Sequence, residues 1–164
     1  MRASQDLPTF YFGNCSFEQN SAEFGGALHV TGSGTADIRN SRFFKNSGGT
    51  FGGVLYAEKD VLVEIGNCSH ERNEADYGGA IYATGDVKAS IRNSSFAKNQ
   101  ADAWGGALCT DANVSAEITD CSYEQNHANE GGAINAKANA ATDVTSCRFT
   151  GNSANTSGGA MYAK

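Results

Sequence analysis

A tetrapeptide with a ring residue first and Asn last comes round six times in this chain, ending at Asn20, Asn46, Asn73, Asn99, Asn126 and Asn152. The steps between these asparagines run 26, 27, 26, 27 and 26 residues. A glycine pair keeps the same beat, with its second member at Gly26, Gly53, Gly79, Gly106, Gly132 and Gly159. From each of those glycines to the next Asn is always 20 residues, whereas from Asn to glycine alternates between 6 and 7. The length variation is therefore expected in one short loop, with the remainder in strict register. A fixed period this short points to a solenoid whose units contact only their neighbours. A propeller blade needs about 40 residues, too many for this period.

Superposing the repeats turns the sequence into ladders. An apolar ladder runs through Phe12, Ile38, Ile65, Ile91, Ile118 and Val144. A small, soft ladder follows at Cys15, Ser41, Cys68, Ser94, Cys121 and Cys147, and a ring ladder at Phe17, Phe43, His70, Phe96, Tyr123 and Phe149. After the glycines comes Leu28, Leu55, Ile81, Leu108, Ile134 and Met161. Alternation of period two around these positions marks short strands with one buried face. The expected fold is all-β: a right-handed single-stranded parallel β-helix (solenoid) of about six coils of 26–27 residues, with three short strands per coil. Asn and Gly serve the bends, since both tolerate a left-handed backbone. Stacked Asn20, Asn46, Asn73, Asn99, Asn126 and Asn152 are expected to form an asparagine ladder bonded to their copies about 4.8 Å away. Residues 1–9 read as an N-terminal extension and 10–164 as the repeat domain. No polar cap follows the last strand, so the domain is expected to be a fragment of a longer solenoid or a rod that stacks end to end.

Composition narrows the function. A net charge of −6 argues against nucleic acid as a partner, because phosphates demand a basic surface. No run of 18 apolar residues occurs, so direct membrane insertion of this segment is not expected. The five cysteines form no Cys-x-x-Cys motif. Four of them lie on the inward ladder, while Cys109 falls on an outward row and is the reactive candidate. His70 replaces a core ring and reads as a buried aromatic substitute. Asp37, Glu64, Glu117 and Asp143 form an outward acidic row, the only weak candidates for calcium; Arg39 and Arg92 lie two residues along and would neutralise it. No metal and no cofactor is expected. Asn113 and Asn155 are the two glycosylation sequons with room for a glycan.

Two outward rows flank the glycine pairs. One holds Phe24, Phe51, Tyr77, Trp104, Glu130 and Ser157; the other holds His29, Tyr56, Tyr82, Cys109, Asn135 and Tyr162. Both are aromatic early and polar late. An aromatic strip centred on Tyr56, Tyr82 and Trp104 is the expected binding surface, with Phe24, Phe51 and Tyr77 beside it. The plainer reading is that the first row folds over the glycines and covers backbone.

Phe17–Asn20, Phe43–Asn46, Phe96–Asn99 and Phe149–Asn152, with Gly25–Leu28, Gly78–Ile81, Gly105–Leu108 and Gly131–Ile134, resemble the repeats of the chlamydial polymorphic membrane proteins. Similar repeats occur in large surface proteins of microbial eukaryotes. His70, Tyr123 and Val54 depart from the pattern. The resemblance implies a surface β-helix of an adhesin, extracellular or at the cell surface. The expected function is thus a non-catalytic β-helix acting in adhesion or as a structural rod. Its partner would be a protein or glycan, or other subunits assembled end to end or side by side. The alternative is a carbohydrate-binding or polysaccharide-degrading β-helix. The uniform coils favour the first reading, because a catalytic groove needs acids and bases that plain coils do not supply.

Overall fold

A computed structural model describes residues 8–137 and 139–164. The first coil contains β1 (Thr9–Gly13), β2 (Ser16–Glu18), β3 (Ser21–Phe24) and β4 (Leu28–Thr31). Five further coils repeat this path, and each of the four strands stacks on its copies in a six-stranded parallel sheet. The chain is a parallel β-solenoid of six coils. Register is strict: Phe12 pairs with Ile38, Phe17 with Phe43, and Leu28 with Leu55. Of the expected extension, residues 1–7 lie outside the described residues, and Thr9 already pairs with Thr35 in the first sheet.

Four strands per coil correct the expected three. The strand that escaped notice is β3 and its copies, whose inward positions are Ala22, Gly48, Ala75, Ala101, Ala128 and Ala154. With no large apolar residue, this column looks like loop. The alternation between 6 and 7 residues is also found here, inside a strand. The register of this sheet shifts between Ala75 and Tyr77 and at the equivalent points of the other pairs. A β-bulge absorbs the extra residue of every second coil.

Each bend divides its labour between adjacent residues. After the first strand, the left-handed residue is Asn14, Asn40, Asn67, Asn93, Asp120 or Ser146. After the second, it is Gln19, Lys45, Arg72, Lys98, Gln125 or Gly151, the residue before the recurring Asn of each coil. That Asn was expected to supply the left-handed conformation and does not. The glycine pairs also split two tasks. Gly78 has φ of +64°, and a Cβ on Gly79 would lie 2.2 Å from the Gly106 carbonyl oxygen. The first glycine meets a backbone need, the second a close approach between coils.

The freed asparagines build the buried amide ladder. Asn99 donates from its backbone N–H and from Nδ2 to Asn126 Oδ1, at 2.9 and 3.0 Å, and Nδ2 also donates to the His70 carbonyl at 3.0 Å. Its own Oδ1 accepts the same pair of bonds from Asn73. Asn46, Asn73, Asn99 and Asn126 are buried, and every amide group among them is used. Beside the ladder, Phe17, Phe43, His70, Phe96, Tyr123 and Phe149 stack nearly parallel, with centroids 4.6–4.9 Å apart. The soft ladder has its own logic. Ser41 and Ser94 hydroxyls accept the amide N–H of Cys15 and Cys68 in the preceding coil.

The two departures in the ring ladder leave polar atoms stranded. Both ring nitrogens of His70 and the Tyr123 hydroxyl are buried without a hydrogen-bond partner. Burial alone pushes the His70 pKa down to about 3, so the ring is neutral in the folded protein. The unfolded chain takes up that proton near pH 6.5. Stability is therefore fully present above about pH 6.5 and falls by up to about 1.4 kcal/mol per pH unit on acidification toward pH 3. His70→Phe should raise stability below pH 6 and flatten this dependence in urea melts from pH 4 to 8; an unchanged pH profile would refute the assignment. Tyr123→Phe should add about 1–2 kcal/mol by removing an unpaired hydroxyl. Asn99→Leu leaves donors on Asn73 and the His70 carbonyl unsatisfied and should cost about 3 kcal/mol or more. Lys98→Gly, one residue away, should be neutral or stabilising in the same melts. Phe96→Ala should cost about 3–5 kcal/mol.

Candidate functional site

The two rows beside the glycine pairs meet outside the rod. Residues immediately before each pair project from the end of the third strand, and the first outward residue of the fourth strand rises to meet them. Gly25 and Gly26, with their copies, have no side chains to hold these rows apart. Phe24, Phe51 and Tyr77 consequently fold over His29, Tyr56 and Tyr82, and Trp104 packs on Tyr77. Phe51 lies 5.3 Å from Tyr56 and 4.5 Å from Tyr82, centroid to centroid. Tyr77 lies 4.6 Å from Trp104, and His29 stacks on Tyr56 at 4.8 Å. The result is an aromatic crest along four coils.

Acids anchor the polar ends of the crest. The Tyr56 hydroxyl donates to Glu58 Oε2 at 3.2 Å, and His29 Nε2 lies 3.3 Å from Glu58 Oε1. Burial raises the Glu58 pKa, but the bonds from His29, Thr31 and Tyr56 and the charge of Lys59 outweigh it and hold the carboxyl below its ordinary value. The Tyr82 hydroxyl donates to Asp111 Oδ2 at 3.0 Å. Burial, with Cys109 and Asp111 nearby, drives the Tyr82 hydroxyl far above its usual range.

The crest is not the uniformly exposed strip that the alternation suggested. Phe24 is exposed, at 42%, and Phe51, Tyr56, Tyr77 and Trp104 are half-buried. Tyr82 retains 5% of its surface and Cys109 none. An outward row is a buried row wherever the neighbouring row lies across it. In register Trp104 stands to Cys109 as Phe51 stands to Tyr56, and Lys137 Nζ clamps the indole from 3.0 Å above its centroid. Burial, and then the negative charge of Asp111, drive the Cys109 thiol strongly upward, so the expected reactive cysteine is inert. One coil further, Glu130 replaces Trp104 and pairs with Lys137 at 3.8 Å, while Asn135 is buried with Oδ1 unpartnered.

The other candidates are placed as follows. Arg39 binds Asp37 and reaches Glu64 at 3.0 Å; Arg92 reaches Glu117 at 3.1 Å. Glu117 and Asp143 pair as register neighbours, and Ser90 separates them from Glu64. Among the described residues no group of three or more His, Cys, Asp or Glu side chains could hold a metal ion. Asn113 and Asn155 are exposed. An open groove of about 1100 Å³, lined by the Asn14 and Cys15 columns and the first residues of the second strands, runs along the opposite corner. Sequence reading missed it because its lining is merely small and polar.

Three stretches, residues 14–31, 93–111 and 146–164, match the Chlamydia polymorphic membrane protein (Chlamydia_PMP) repeat. The three matches together cover about a third of the chain. Each matched polymorphic membrane protein segment starts at a left-handed corner residue, Asn14, Asn93 or Ser146, and runs through the second, third and fourth strands of its coil. The unmatched coils follow the same path, and two of them are the coils in which His70 and Tyr123 replace the core Phe. By its description the matched repeat is one of membrane proteins. No curated protein and no solved structure matches the chain. Trp104→Ala should uncover Cys109. Thiol labelling followed by peptide mapping should find Cys109 unmodified in the parent chain and modified in the variant; labelling of the parent at Cys109 would refute the Trp104–Lys137 cover.

Proposed function

We propose that this chain is a non-catalytic β-helix of the cell surface or extracellular space that acts in adhesion, with a protein or glycan partner held at the aromatic crest. The observation that carries this reading is the crest itself: stacked rings outside the core, across four coils, with Phe24 exposed and Phe51, Tyr56, Tyr77 and Trp104 partly so. Rigid rings supply contact area at low entropic cost and concentrate binding energy. The repeat match supports the location, since it is a membrane-protein repeat. Binding fits the side chains better than turnover does. Asp37, Glu64 and Glu117 of the first sheet are engaged by Arg39 and Arg92, His70 is sealed in the core, and the Cys109 thiol is covered.

A glycan-binding version of the same face draws on its polar edge. The Tyr56–Glu58 and Tyr82–Asp111 pairs sit beside the rings, the combination that stacks a sugar and bonds its hydroxyls. The test is Phe24→Ser, Tyr56→Ser and Tyr77→Ser together, leaving buried Tyr82 in place, with Phe24→Ser alone as the mildest variant. Binding to cultured cells and to a glycan panel should fall at least about tenfold in the triple variant, with cooperative melting retained. A folded triple variant that binds as the parent does would remove the crest as the adhesive face.

A further inference from the structure

On a different corner, between the second and third strands, we propose a docking track for a linear acidic polysaccharide, formed by Lys45, Arg72 and Lys98 with Arg42 and Phe44 beside them. The proposal does not rest on the crest. It starts from residues that the local backbone does not favour. Lys45, Arg72 and Lys98 have φ of 53°, 56° and 55°, a left-handed conformation that disfavours long side chains. The last coil has Gly151 at this position, and the other corner of the same rod uses Asn14, Asn40, Asn67 and Asn93. Glycine or asparagine therefore suits the bend, yet three successive coils present a cation.

Stacking makes the choice costlier. Because each residue sits above its own copy, the three cations lie in one column, about 4.8 Å apart at the backbone, where like charges repel. Arginines elsewhere in the rod avoid this by bridging acids, as Arg39 and Arg92 do. Here Lys45 and Lys98 make no ion pair among the described residues, and Arg72 reaches Glu71 only at 3.7 Å. Glu18, Glu71 and Glu124 occupy the next column, Glu18 holding Arg42, and Glu74 opens the following strand. In the coils of Lys45 and Lys98 that next column holds Phe44 and Ala97 instead. Phe44 gathers the charges, with Arg42, Lys45 and Arg72 at 4.4, 5.2 and 5.9 Å from its ring centroid. An exposed line of cations, two of them without an ion pair among the described residues, on a chain of net charge −6 is matched by a local polyanion.

The groove beside the column selects the polymer. Duplex DNA carries a charge about every 1.7 Å of axis, far denser than this column. A linear polysaccharide with sulfate or carboxylate groups along its length would offer anions to the column and hydroxyls to the groove beside it. The groove across the same short strands presents Asn40, Asn67, Ser69 and Ser95 as uncharged partners for sugar hydroxyls, and Arg42 lines it too.

The test uses the intact chain on immobilised heparin and on polygalacturonate. Gln already stands at this corner as Gln19 and Gln125, so Lys45→Gln, Arg72→Gln and Lys98→Gln together keep the fold. The parent should bind at least one polysaccharide, and the triple variant should bind it at least about tenfold more weakly, with the salt dependence of binding reduced by about two to three counterions. Lys59→Gln, Lys88→Gln and Lys164→Gln together, an equal loss of charge elsewhere, should change binding less than about twofold. The crest triple variant should keep polysaccharide binding, which separates failure of this proposal from failure of the adhesive reading. Equal weakening in both charge variants would overturn the proposal. So would a parent that binds neither polysaccharide, or one that binds phosphatidylcholine–phosphatidylserine vesicles or oligothymidylate as tightly.

Discussion

Every amide in the buried asparagine ladder gives its hydrogen bonds to its own copy one coil further on. Asn73 donates to Asn99, which donates to Asn126, and each amide also reaches back to a ring-position carbonyl of the coil before. Such a chain of bonds closes only if successive coils keep the same path. One extra residue between the first and second corners would misalign the amides, leaving buried donors and acceptors unpaired at about 1–3 kcal/mol each. That accounts for the invariant 20-residue spacing from the second glycine to Asn. It also explains why the odd residue appears in the third strand, where the inward column is alanine and a bulge displaces nothing large.

The same rule governs every other column: a residue's nearest neighbour is its equivalent. Flat rings gain from this arrangement, and the stack from Phe17 to Phe149 is nearly parallel throughout. Amides gain as well, since they both donate and accept. Histidine fits by shape, stacked between Phe43 and Phe96, but finds no partner for either nitrogen. Charges lose, because a column of one sign repels itself. The acidic column of the first sheet is interrupted by Ser90 and laced with arginine, which relieves the repulsion.

How much of this was legible in the sequence depends on what each column carries. Columns with large apolar residues showed themselves through period and identity, so the solenoid, its six coils and its core ladders could be read directly. Columns of alanine could not, and a whole strand per coil went unseen. At the second corner, composition pointed to Asn as the left-handed residue because Asn favours that conformation. The structure assigns the bend to Lys98 and its copies and keeps Asn99 for bonding, a division invisible without the backbone. Tyr82 and Cys109 were read as exposed because alternation reports only which side of a sheet a residue leaves by. The available clue was the bulky residue before each glycine pair, which has no neighbouring side chain to rest on and must fall across the next row.

Inward and outward columns are therefore under different constraints, and function has to be sought where they diverge. An inward change propagates to copies above and below, so His70 and Tyr123 act on stability. An outward change meets solvent or the row beside it rather than the stacked core, which leaves those columns free to vary along the rod without disturbing the path of the chain. The crest uses this freedom: the column of Phe24, Phe51, Tyr77 and Trp104 gives way to Glu130 and Ser157 while the backbone beneath continues unchanged. The corner of Lys45, Arg72 and Lys98 uses it too, between coils that carry Gln and Gly. Two surfaces of opposite chemistry, one aromatic and one cationic, thus lie along the two edges of the third sheet. A repeat that specifies its core this tightly specifies nothing about those edges, which is why a shared repeat identifies the scaffold while each chain's outward columns decide what it meets.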